Sequence, residues 1–423
     1  MNYTFDNTKA FAQKLDQEDP LKDFQAKFHF PIQKNGSPYV YLCGNSLGLQ
    51  PKNVKEALDQ ELSDWSEYGV EGHFHAKNPW MPYHEFLTDA MAKVVGAKPH
   101  EVVVMNTLSV NLHLMMVSFY NPTDKRNKII IEKDAFPSDK FAVESQIKFH
   151  GYDPDECLIE IEGGDDEIVD EDNLIKLIHE LGDAVALVMI GNSNYYTGQV
   201  FDMKRIGEAA HQIGANVGFD CAHGAGNLNL DLHNSGIDFA VWCSYKYLNS
   251  GPGSLGGVFV HERHHKNKDL KRFTGWWGHN KQTRFKMRDA FDPIPTAEAW
   301  QLSNPPILSM AAIKASLEVF MEAGMENLWA KAQKITSYCA YLIDSIGNSD
   351  ISIITPKEIK KRGSQLSIQL KGKDKSLFEA ISTEGVIADW REPDVIRISP
   401  VPLYTSYENV YSFYEILKRN LNC

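Results

Sequence analysis

The sequence predicts an α/β fold in which a mostly parallel sheet is sandwiched by helices, with a smaller α+β domain after it. Between about residues 101 and 260, short β-branched runs alternate with longer amphipathic runs, the pattern of strands joined by crossover helices. The strand-like runs are EVVVM, KIIIEK, CLIEIE, VALVMI, ANVGFDCA, FAVWCSYK and GGVFVHE. Ligands of such sheets bind beyond the carboxyl ends of the strands, so a site is expected there.

The elements outside this alternation define the predicted domains. Pro51 favours the first turn of a helix after YLCGNSLGL, and the double proline at 305–306 opens a long helix. Farther on, ISIITP, QLSIQLK, GVIADW and VIRIS are typical of strands, and a final helix starts at about Ser406. We predict an N-terminal arm and helix start in 1–60, a large domain in 61–305 and a small α+β domain in 306–423.

Composition limits the classes of partner. The chain has 43 Lys and Arg against 56 Asp and Glu residues, a formal net charge of −13, which argues against a nucleic-acid or anionic-lipid partner. No apolar run approaches the roughly 20 residues of a membrane helix, and the N-terminus lacks a basic start before an apolar stretch. The six cysteines form no CxxC pair, which favours reduced thiols. We expect a cytoplasmic protein without a metal.

Two motif matches lack the structural context that they need. His261 to His265 satisfy H-E-x-x-H, but this segment continues the strand GGVFV, whereas a zinc protease carries the motif inside a helix. Gly251, Gly253 and Gly256 satisfy G-x-G-x-x-G, but they lead into a strand, whereas a dinucleotide fingerprint opens a helix. Neither a zinc site nor a nicotinamide site is predicted from them.

Lys246 follows the strand FAVWC, which is apolar on both faces, and lies between Tyr245 and Tyr247. A lysine held at the mouth of a buried sheet loses hydration, which makes its free amine available to form a Schiff base with a carbonyl. The alternative is a lysine that extends its head group to solvent near a strand end. This segment alone does not decide between the two.

Asp220 ends a second buried strand, in ANVGFDCAHGAG, and His223 follows three residues later. A buried carboxylate needs a cationic or hydrogen-bonding partner, and a protonated pyridine nitrogen would supply one. Taken alone, the acid fits better with binding a ribose, a metal or a helix N-terminus. Together with Lys246, 26 residues later at another strand end, it forms the arrangement that pyridoxal phosphate (PLP) requires, with the carboxylate at the pyridinium and the amine at the aldehyde.

A phosphate site is predicted where EVVVM leads through NTLS into a helix, because a helix N-terminus offers amides to an anion. Ser109 and the amide of Leu108 would address the phosphate oxygens, although an ordinary N-cap has the same geometry. Phe136, in AFPSDKFA after KIIIEK, would cover one face of the pyridine, with core packing as the alternative.

Many segments match one known family in order and spacing. They are YLCGNSLGL, NTLSVNLHLMM, FPSDKFA, YYTGQ, GFDCAHGAGN, SYKYLNSGPG, GWWGH, RFKM, SNPPI and IRISPVPLY, and they extend from about Tyr41 to about Tyr407. The chain resembles the kynureninases, PLP enzymes of the aspartate aminotransferase fold type I. The resemblance implies PLP as cofactor and a hydrolase of tryptophan catabolism. Its reaction would cleave the Cβ–Cγ bond of L-kynurenine or 3-hydroxy-L-kynurenine, giving anthranilate or 3-hydroxyanthranilate and L-alanine.

The resemblance also implies roles for single residues. Lys246 would form the Schiff base with PLP, Asp220 would pair with the pyridine nitrogen, and His223 would lie close to it. The remaining cofactor contacts that it implies are Leu108, Ser109, Phe136, Pro137, Ser138, Asp139 and Tyr245. It further implies a homodimer with shared active sites, in which Trp276 and Asn304 come from the neighbouring subunit.

One position departs from the family's pattern. Relatives carry a hydroxyl residue at the end of the VALVMI strand, where this chain has Gly191. A hydrogen bond to the edge of the cofactor ring is therefore either lost or moved to Ser193.

The reaction needs a donor at the γ-carbonyl and a partner for the α-carboxylate of the substrate. Tyr196 in YYTGQ is the predicted donor, because a phenol donates to an oxyanion at close range, with a core-capping tyrosine as the alternative. Arg397 lies in VIRIS, where a half-buried guanidinium must find an anion, either the substrate or a structural carboxylate. Recognition of the aryl group is expected from Ser46, His73, Trp276, Trp277, His279 and Asn304, with His73 and Asn304 suited to a ring hydroxyl.

Two rival functions share parts of this pattern. A cysteine desulfurase or related PLP lyase has the same Lys, Asp and His placement but needs a mobile cysteine, and none of the six lies in a glycine-rich loop after the lysine segment. A non-catalytic homologue would bind metabolites without turnover. The competent residues at every matched catalytic position except Gly191 argue against it.

Overall fold

The computed structural model describes residues 3–287, 290–372 and 374–421. Its α-helices are α1 (Lys9–Glu18), α2 (Asn53–Tyr68), α3 (Gly72–His75), α4 (Glu85–Val95), α5 (Leu108–Phe119), α6 (Pro137–Phe149), α7 (Pro154–Cys157), α8 (Glu171–Leu181), α9 (Met203–Gln212), α10 (Leu232–Ser235), α11 (Ile307–Ala323), α12 (Met325–Ser345), α13 (Ser376–Thr383) and α14 (Tyr407–Leu421). Its strands are β1 (Val40–Tyr41), β2 (Val102–Met105), β3 (Lys128–Glu132), β4 (Leu158–Ile161), β5 (Val185–Gly191), β6 (Asn216–Asp220), β7 (Phe239–Cys243), β8 (Gly256–Val260), β9 (Ile351–Ile353), β10 (Leu366–Leu370), β11 (Val386–Ile387), β12 (Asp389–Arg391) and β13 (Val395–Ile398).

Seven strands form the large sheet, in the order β2-β8-β7-β6-β5-β3-β4. The neighbours from β7 to β4 pair in parallel, whereas β8 runs antiparallel to both β7 and β2. Alternate side chains of these strands enter two apolar clusters, one on each face of the sheet, because successive residues of a strand point to opposite faces. The predicted mostly parallel sheet covered on both faces is thus confirmed.

The C-terminal sheet is antiparallel, in the order β12-β13-β10-β9. Its buried side chains form one apolar cluster with those of α12, α13 and α14, which gives the predicted α+β arrangement. Helix α11, by contrast, buries Met310, Ile313 and Leu317 in the cluster of the large sheet. The domain division at residue 306 stays a prediction.

The segment 40–48 connects β11 with the loop after β7, and we call it the connecting strap. At its start, β1 pairs in parallel with β11 beside the small sheet. At its end, the N–H of Gly48 donates to the carbonyl of Tyr245 at 2.8 Å. A Cβ at position 48 would lie 2.4 Å from the carbonyl oxygen of Lys246, so only glycine allows this close approach.

The carboxyl ends of neighbouring strands bring polar residues to one edge of the large sheet. Glu132 ends β3, Gly191 ends β5 and Asp220 ends β6, while Lys246 follows β7 by three residues. These four strands lie side by side. The edge is therefore the expected place for a ligand of a parallel sheet.

Three further observations bear on metals, thiols and membranes. After β8 the chain enters a short 3-10 turn, Glu262–His264, so the H-E-x-x-H match is not carried by an α-helix. The five cysteines of the described ranges form no disulfide, and Cys423 lies outside them. No described helix combines the length and apolar character that crossing a lipid bilayer requires.

Candidate active site

A cavity of about 540 Å³ opens at the carboxyl edge of the large sheet. It is lined by Leu108, Ser109, Glu132, Phe136, Ser138, Asp139, Gly191, Ser193, Tyr195, Asp220, Ala222, His223, Tyr245 and Lys246. Most residues predicted to hold the ring and phosphate of the cofactor are in this set. They come from separate segments that only the sheet topology brings together.

Lys246 and His223 approach each other inside the cavity. The Nζ of Lys246 lies 3.1 Å from Nε2 of His223 and 5.7 Å from the centre of the Phe136 ring. Burial, with the nearby charge of Lys246, lowers the pKa of His223 well below its usual value, so the imidazole is neutral. A lysine ammonium only donates, so Nε2 accepts and the ring proton is on Nδ1, which is buried without a partner in the described structure.

Three carboxyl groups line the same space, those of Asp220, Asp139 and Glu132. Oδ1 of Asp220 accepts a hydrogen bond from the N–H of Ala222 at 2.7 Å. Burial raises the pKa of Asp220, while the charge of Lys246 opposes this shift. Burial and the charge of Asp220 raise the pKa of Asp139 well above its usual value. We infer that a protonated Asp139 hydrogen-bonds to an ionised Asp220, because two charged carboxylates in contact would repel each other.

The N-terminus of α5 supplies donors at the cavity. Thr107, its N-cap, is extended (φ −89°, ψ 163°) and its side chain makes no capping hydrogen bond. The amide of Asn111 bonds to the carbonyl of Thr107, so the amides before it have no partner within the helix. Ser109 and Tyr245 line the cavity here. This end can therefore bind an anion.

These groups fit PLP along its whole length. The amine of Lys246 matches the aldehyde, the carboxylate of Asp220 matches the pyridine nitrogen, and the start of α5 matches the phosphate. The buried Nδ1 of His223 without a partner indicates that protein atoms alone do not satisfy the polar groups around the cavity. The residues present therefore fit the cofactor that the sequence predicts.

Arg397 on β13 is 1% exposed and already has a carboxylate partner. Its Nη2 lies 2.5 Å from Oδ2 of Asp389, and its Nη1 donates to the carbonyl of Tyr195. Ser46 also donates to Asp389. The structural ion pair that the sequence left as an alternative is thus formed, while Nε of Arg397 is buried without a described partner. Because the guanidinium lies 5.9 Å from the Tyr195 ring, which lines the cavity, Arg397 is close to the site.

Three other predicted substrate contacts lie off this cavity in the single chain. Trp277 is buried, with the guanidinium of Arg284 4.3 Å from the centre of its ring. His279 bonds within its own loop. The Nδ1 of His73 lies 2.9 Å from the carbonyl of Val70. Their predicted part in recognition of the aryl group stays a prediction.

The remaining predicted residues are also placed away from the cavity lining. Trp276 and Asn304, assigned to a neighbouring subunit, are both exposed, and Pro137 begins α6 at the surface. Tyr196 is half-buried, and burial raises the pKa of its phenol to about 12. It is the ring of Tyr195, the preceding residue, that lines the cavity.

Comparison with known proteins decides the family. A family model described as the kynureninase C-terminal domain matches residues 328–417. The kynureninase of Myxococcus xanthus is 54% identical over 417 residues, which covers 98% of both chains, and that of Flavobacterium johnsoniae is 54% identical over 423 residues, which covers 99% of both. This chain belongs to the kynureninase family. The predicted recognition is therefore confirmed.

The kynureninase family shares its fold with more distant proteins. The cysteine desulfurase CsdA of Escherichia coli superposes with a TM-score of 0.76 at 17% identity, over 99% of both chains. A cysteine desulfurase of Thermococcus onnurineus gives a TM-score of 0.75 at 17% identity, over 97% of this chain and 98% of the other. This likeness concerns the fold alone, and it confirms the predicted fold class.

The thiols of this kynureninase family member do not favour the desulfurase alternative. Cys221 and Cys243 are buried, and burial raises the pKa of both thiols. Burial also raises the pKa of Cys43 to about 11. A nucleophilic cysteine must be a thiolate. These three thiols are therefore protonated and do not supply the reactive cysteine that a desulfurase needs.

Sequence reasoning missed three residues beside the site. Glu132 ends strand β3, as Asp220 ends strand β6. An acid at the end of an apolar run is the sequence signal that could have identified Glu132 as a site residue. Tyr195 precedes Tyr196, which the sequence predicts as the donor. The backbone of the turn determines which of the two rings lines the cavity. Asp389 lies directly opposite Arg397 in the β12–β13 register, a cross-strand pair of opposite charges that becomes visible only once the pairing is known.

Proposed function

We propose that this member of the kynureninase family uses PLP to hydrolyse the Cβ–Cγ bond of L-kynurenine or 3-hydroxy-L-kynurenine, releasing anthranilate or 3-hydroxyanthranilate and L-alanine. The observation that carries the proposal is that Asp220 and Lys246, at the ends of adjacent strands, line one cavity together with His223. The 54% identity to curated kynureninases over nearly the whole chain supports the same reaction.

When bound, PLP supplies an electron sink for the negative charge that develops at Cα of the substrate. Asp220 holds a proton on the pyridine nitrogen, because a buried carboxylate favours a protonated partner. Lys246 carries the amine that removes the proton from Cα, as a general base. His223 is neutral and accepts a hydrogen bond from that amine, which keeps the amine in the cavity when it is not engaged.

Addition of water to the γ-carbonyl places negative charge on its oxygen. We propose Tyr196 as the stabilising donor, which requires its phenol to reach the cavity that Tyr195 lines in the single chain. Burial raises the pKa of Tyr196 to about 12, so its phenol stays protonated. The neighbouring ring of Tyr195 makes a T-shaped contact with Phe136, with centroids 5.4 Å apart. This aromatic pair supplies an apolar surface on one side of the cavity.

Arg397 is assigned to the α-carboxylate of the substrate. Its guanidinium is buried next to the cavity and keeps one donor, Nε, without a partner among the described residues. A guanidinium binds a carboxylate through two parallel hydrogen bonds, so the substrate competes with Asp389 for it. We assign Ser46, His73, Trp277, His279 and Asn304 to the surroundings of the aryl group, where His73 and Asn304 would recognise a ring hydroxyl.

A second copy of the chain is proposed to complete the site. Trp276, Phe285 and Met287 are 43%, 59% and 78% exposed on one segment, and clustered exposed apolar side chains are typical of protein contacts. In the homodimer, Trp276 and Asn304 would reach the cavity of the partner. The cysteines of the described residues form no disulfide, which supports the further proposal of a cytoplasmic enzyme. We also propose a large domain, 61–305, and a small domain, 306–423.

The proposal is tested by cofactor binding and turnover. The purified protein should take up PLP and turn yellow, borohydride should bleach this band, and L-kynurenine should yield fluorescent anthranilate. Lys246→Ala should lose the covalent absorbance band and the activity. Lys133→Ala, which removes a surface lysine paired with Glu162, is the matched control and should keep both. A colourless wild-type protein that does not take up added PLP would contradict the proposal.

A further inference from the structure

Glu132 is a buried acid that the reaction scheme leaves without a role. It ends β3, its side chain is 4% exposed, and it lines the cavity with Asp139 and Asp220. Both of its carboxyl oxygens lie 3.2 Å from the N–H of Gly191, the last residue of the neighbouring strand β5. The N–H of Gly191 therefore helps to hold the carboxyl group of Glu132 at the edge of the sheet, beside the cavity.

The carboxyl of Glu132 takes the room that a side chain at position 191 would need. A Cβ built on Gly191 would lie 2.8 Å from Oε1 of Glu132, which is too close for both to stay in place. Gly191 pairs with Asp220 in the parallel register of β5 and β6, so Glu132, Gly191 and Asp220 follow one another along the sheet edge. The carboxyl of Glu132 thus occupies the space beside Gly191 that a side chain at this strand end would fill.

The protonation state of Glu132 follows from its neighbours. Asp139 and Asp220 lie on the same cavity, where Lys246 is the one lysine or arginine in the lining, so three ionised carboxylates would repel one another. Burial, with a contribution from the charge of Asp220, raises the pKa of Glu132 to about 7. A protonated carboxyl group has an O–H donor that a carboxylate lacks.

We propose that the protonated carboxyl of Glu132 donates a hydrogen bond to an oxygen substituent on the edge of the pyridine ring of PLP. The inference rests on the proposed function, because it requires PLP in this cavity. Ser193 is the rival donor: it also lines the cavity and follows Gly191 by two residues.

The test titrates the cofactor-free protein with PLP and records both the Kd and the absorbance maximum of the bound cofactor. Glu132→Ala should raise the Kd at least about tenfold and shift the maximum, since a hydrogen bond to a charged group contributes more than about 1.4 kcal/mol. Glu132→Gln keeps a neutral donor of similar shape and should leave both close to wild type. Equal Kd and spectrum for wild type and Glu132→Ala would overturn the inference, and so would a Gln variant as impaired as the Ala variant.

Two further variants separate a cofactor contact from a purely structural role. The double variant Glu132→Ala/Gly191→Ser places a hydroxyl where the carboxyl was removed and should recover much of the lost affinity. Failure to recover the affinity, or a Ser193→Ala variant that reproduces the Glu132→Ala spectrum, would contradict the assignment.

Glu61→Ala is the control for loss of a buried acid, because Glu61 accepts hydrogen bonds from Trp80 and Tyr83. The absorbance maximum of PLP bound to Glu61→Ala should equal that of the wild type. If the wild type does not bind PLP, the proposed function fails, whereas failure of the variants alone concerns Glu132.

Discussion

At the scale of single residues, the guanidinium of Arg397 pairs with the carboxylate of Asp389 and is proposed to bind the carboxylate of the substrate as well. Arg397→Lys replaces a planar fork by a point charge, so we expect the KM for kynurenine to rise more than about tenfold, about 1.4 kcal/mol. Steady-state kinetics of anthranilate formation measure this change. An increase in KM that exceeds the decrease in kcat would identify a loss of substrate binding.

The control for Arg397 is another buried arginine. Arg362 is 9% exposed and donates to the hydroxyl of Ser337, outside the cavity lining. Arg362→Lys should lower the melting temperature without changing KM. If Arg397→Lys behaves in the same way, the guanidinium acts only in the pair with Asp389, and another residue binds the substrate carboxylate.

Glu132 links the stability of the cofactor-free protein to pH. Burial raises its pKa from 4.5 to about 7 in the folded chain, so the folded state holds a proton that the unfolded state releases. Its stabilising contribution is therefore full below about pH 4.5 and is lost as the pH rises through about 7. Glu132→Gln cannot ionise, so its stability relative to wild type should rise between pH 5 and pH 8 by up to about 3 kcal/mol. Urea unfolding at the two pH values measures the difference.

An acid with the opposite shift controls this experiment. Although burial opposes the shift, hydrogen bonds from His84 and Lys281 lower the pKa of Glu298 to about 2. The stabilisation that it provides is present above about pH 4.5 and is lost as the pH falls through about 2. Glu298→Gln should thus be destabilised at both pH 5 and pH 8, because the carboxylate that it removes is ionised at both values. A gap between Glu132→Gln and wild type that stays constant between the two pH values would show that Glu132 is ionised at both.

At the scale of elements, strands β6 and β7 pack so closely that position 218 has no room for a side chain. A Cβ on Gly218 would lie 2.0 Å from Cζ of Phe239, which is fully buried. Gly218→Ala should destabilise the protein by at least about 2 kcal/mol, the usual scale for overpacking.

The control for Gly218 is Gly207 in α9. A Cβ on Gly207 would meet its nearest atom, on Ile237, at 3.4 Å. Gly207→Ala should therefore be neutral or stabilising by up to about 1 kcal/mol. Thermal unfolding of both variants compares them, and equal losses would contradict this account of packing.

The elements that the sequence predicts best are those buried on both faces. VALVMI becomes β5, in which every residue except Gly191 is buried, because a parallel strand covered by helices needs a continuous apolar run. GVIADW, predicted as one strand, divides into β11 and β12, which pair with β1 and β13 respectively. The division depends on partners far away in the sequence, which local composition does not report.

At the scale of the whole molecule, the proposed sharing of active sites in a homodimer predicts complementation between two inactive variants. Lys246→Ala removes the amine from one site, and Trp276→Ala removes the aromatic ring that each chain is proposed to lend to the other. After the two variants are mixed, unfolded and refolded together, random pairing should give heterodimers with one intact site, or about a quarter of the wild-type activity. Kynurenine cleavage by the mixture measures this. If mixing restores no activity while each variant still forms dimers, Trp276 serves the site of its own chain.

The same scale explains how far the site is predictable. Strand-end residues such as Asp220 and Lys246 follow from the sheet alone, because every parallel strand delivers its last residue to the same edge. Tyr195 and Asp389 depend on turn geometry and on cross-strand register, which neighbouring residues in the sequence do not determine. Residues assigned to a partner subunit, such as Trp276, depend on an assembly that one chain does not form by itself.

The connecting strap links the surroundings of the C-terminal sheet to the loop that carries Lys246. One of its ends is hydrogen-bonded to β11, and the other donates to the carbonyl of Tyr245, the residue before Lys246. A rigid-body rotation of the C-terminal unit would therefore displace the loop that carries Lys246 through the contact between Gly48 and Tyr245. Closure over a substrate and alignment of the amine would then be one coupled movement, transmitted through fewer than ten residues.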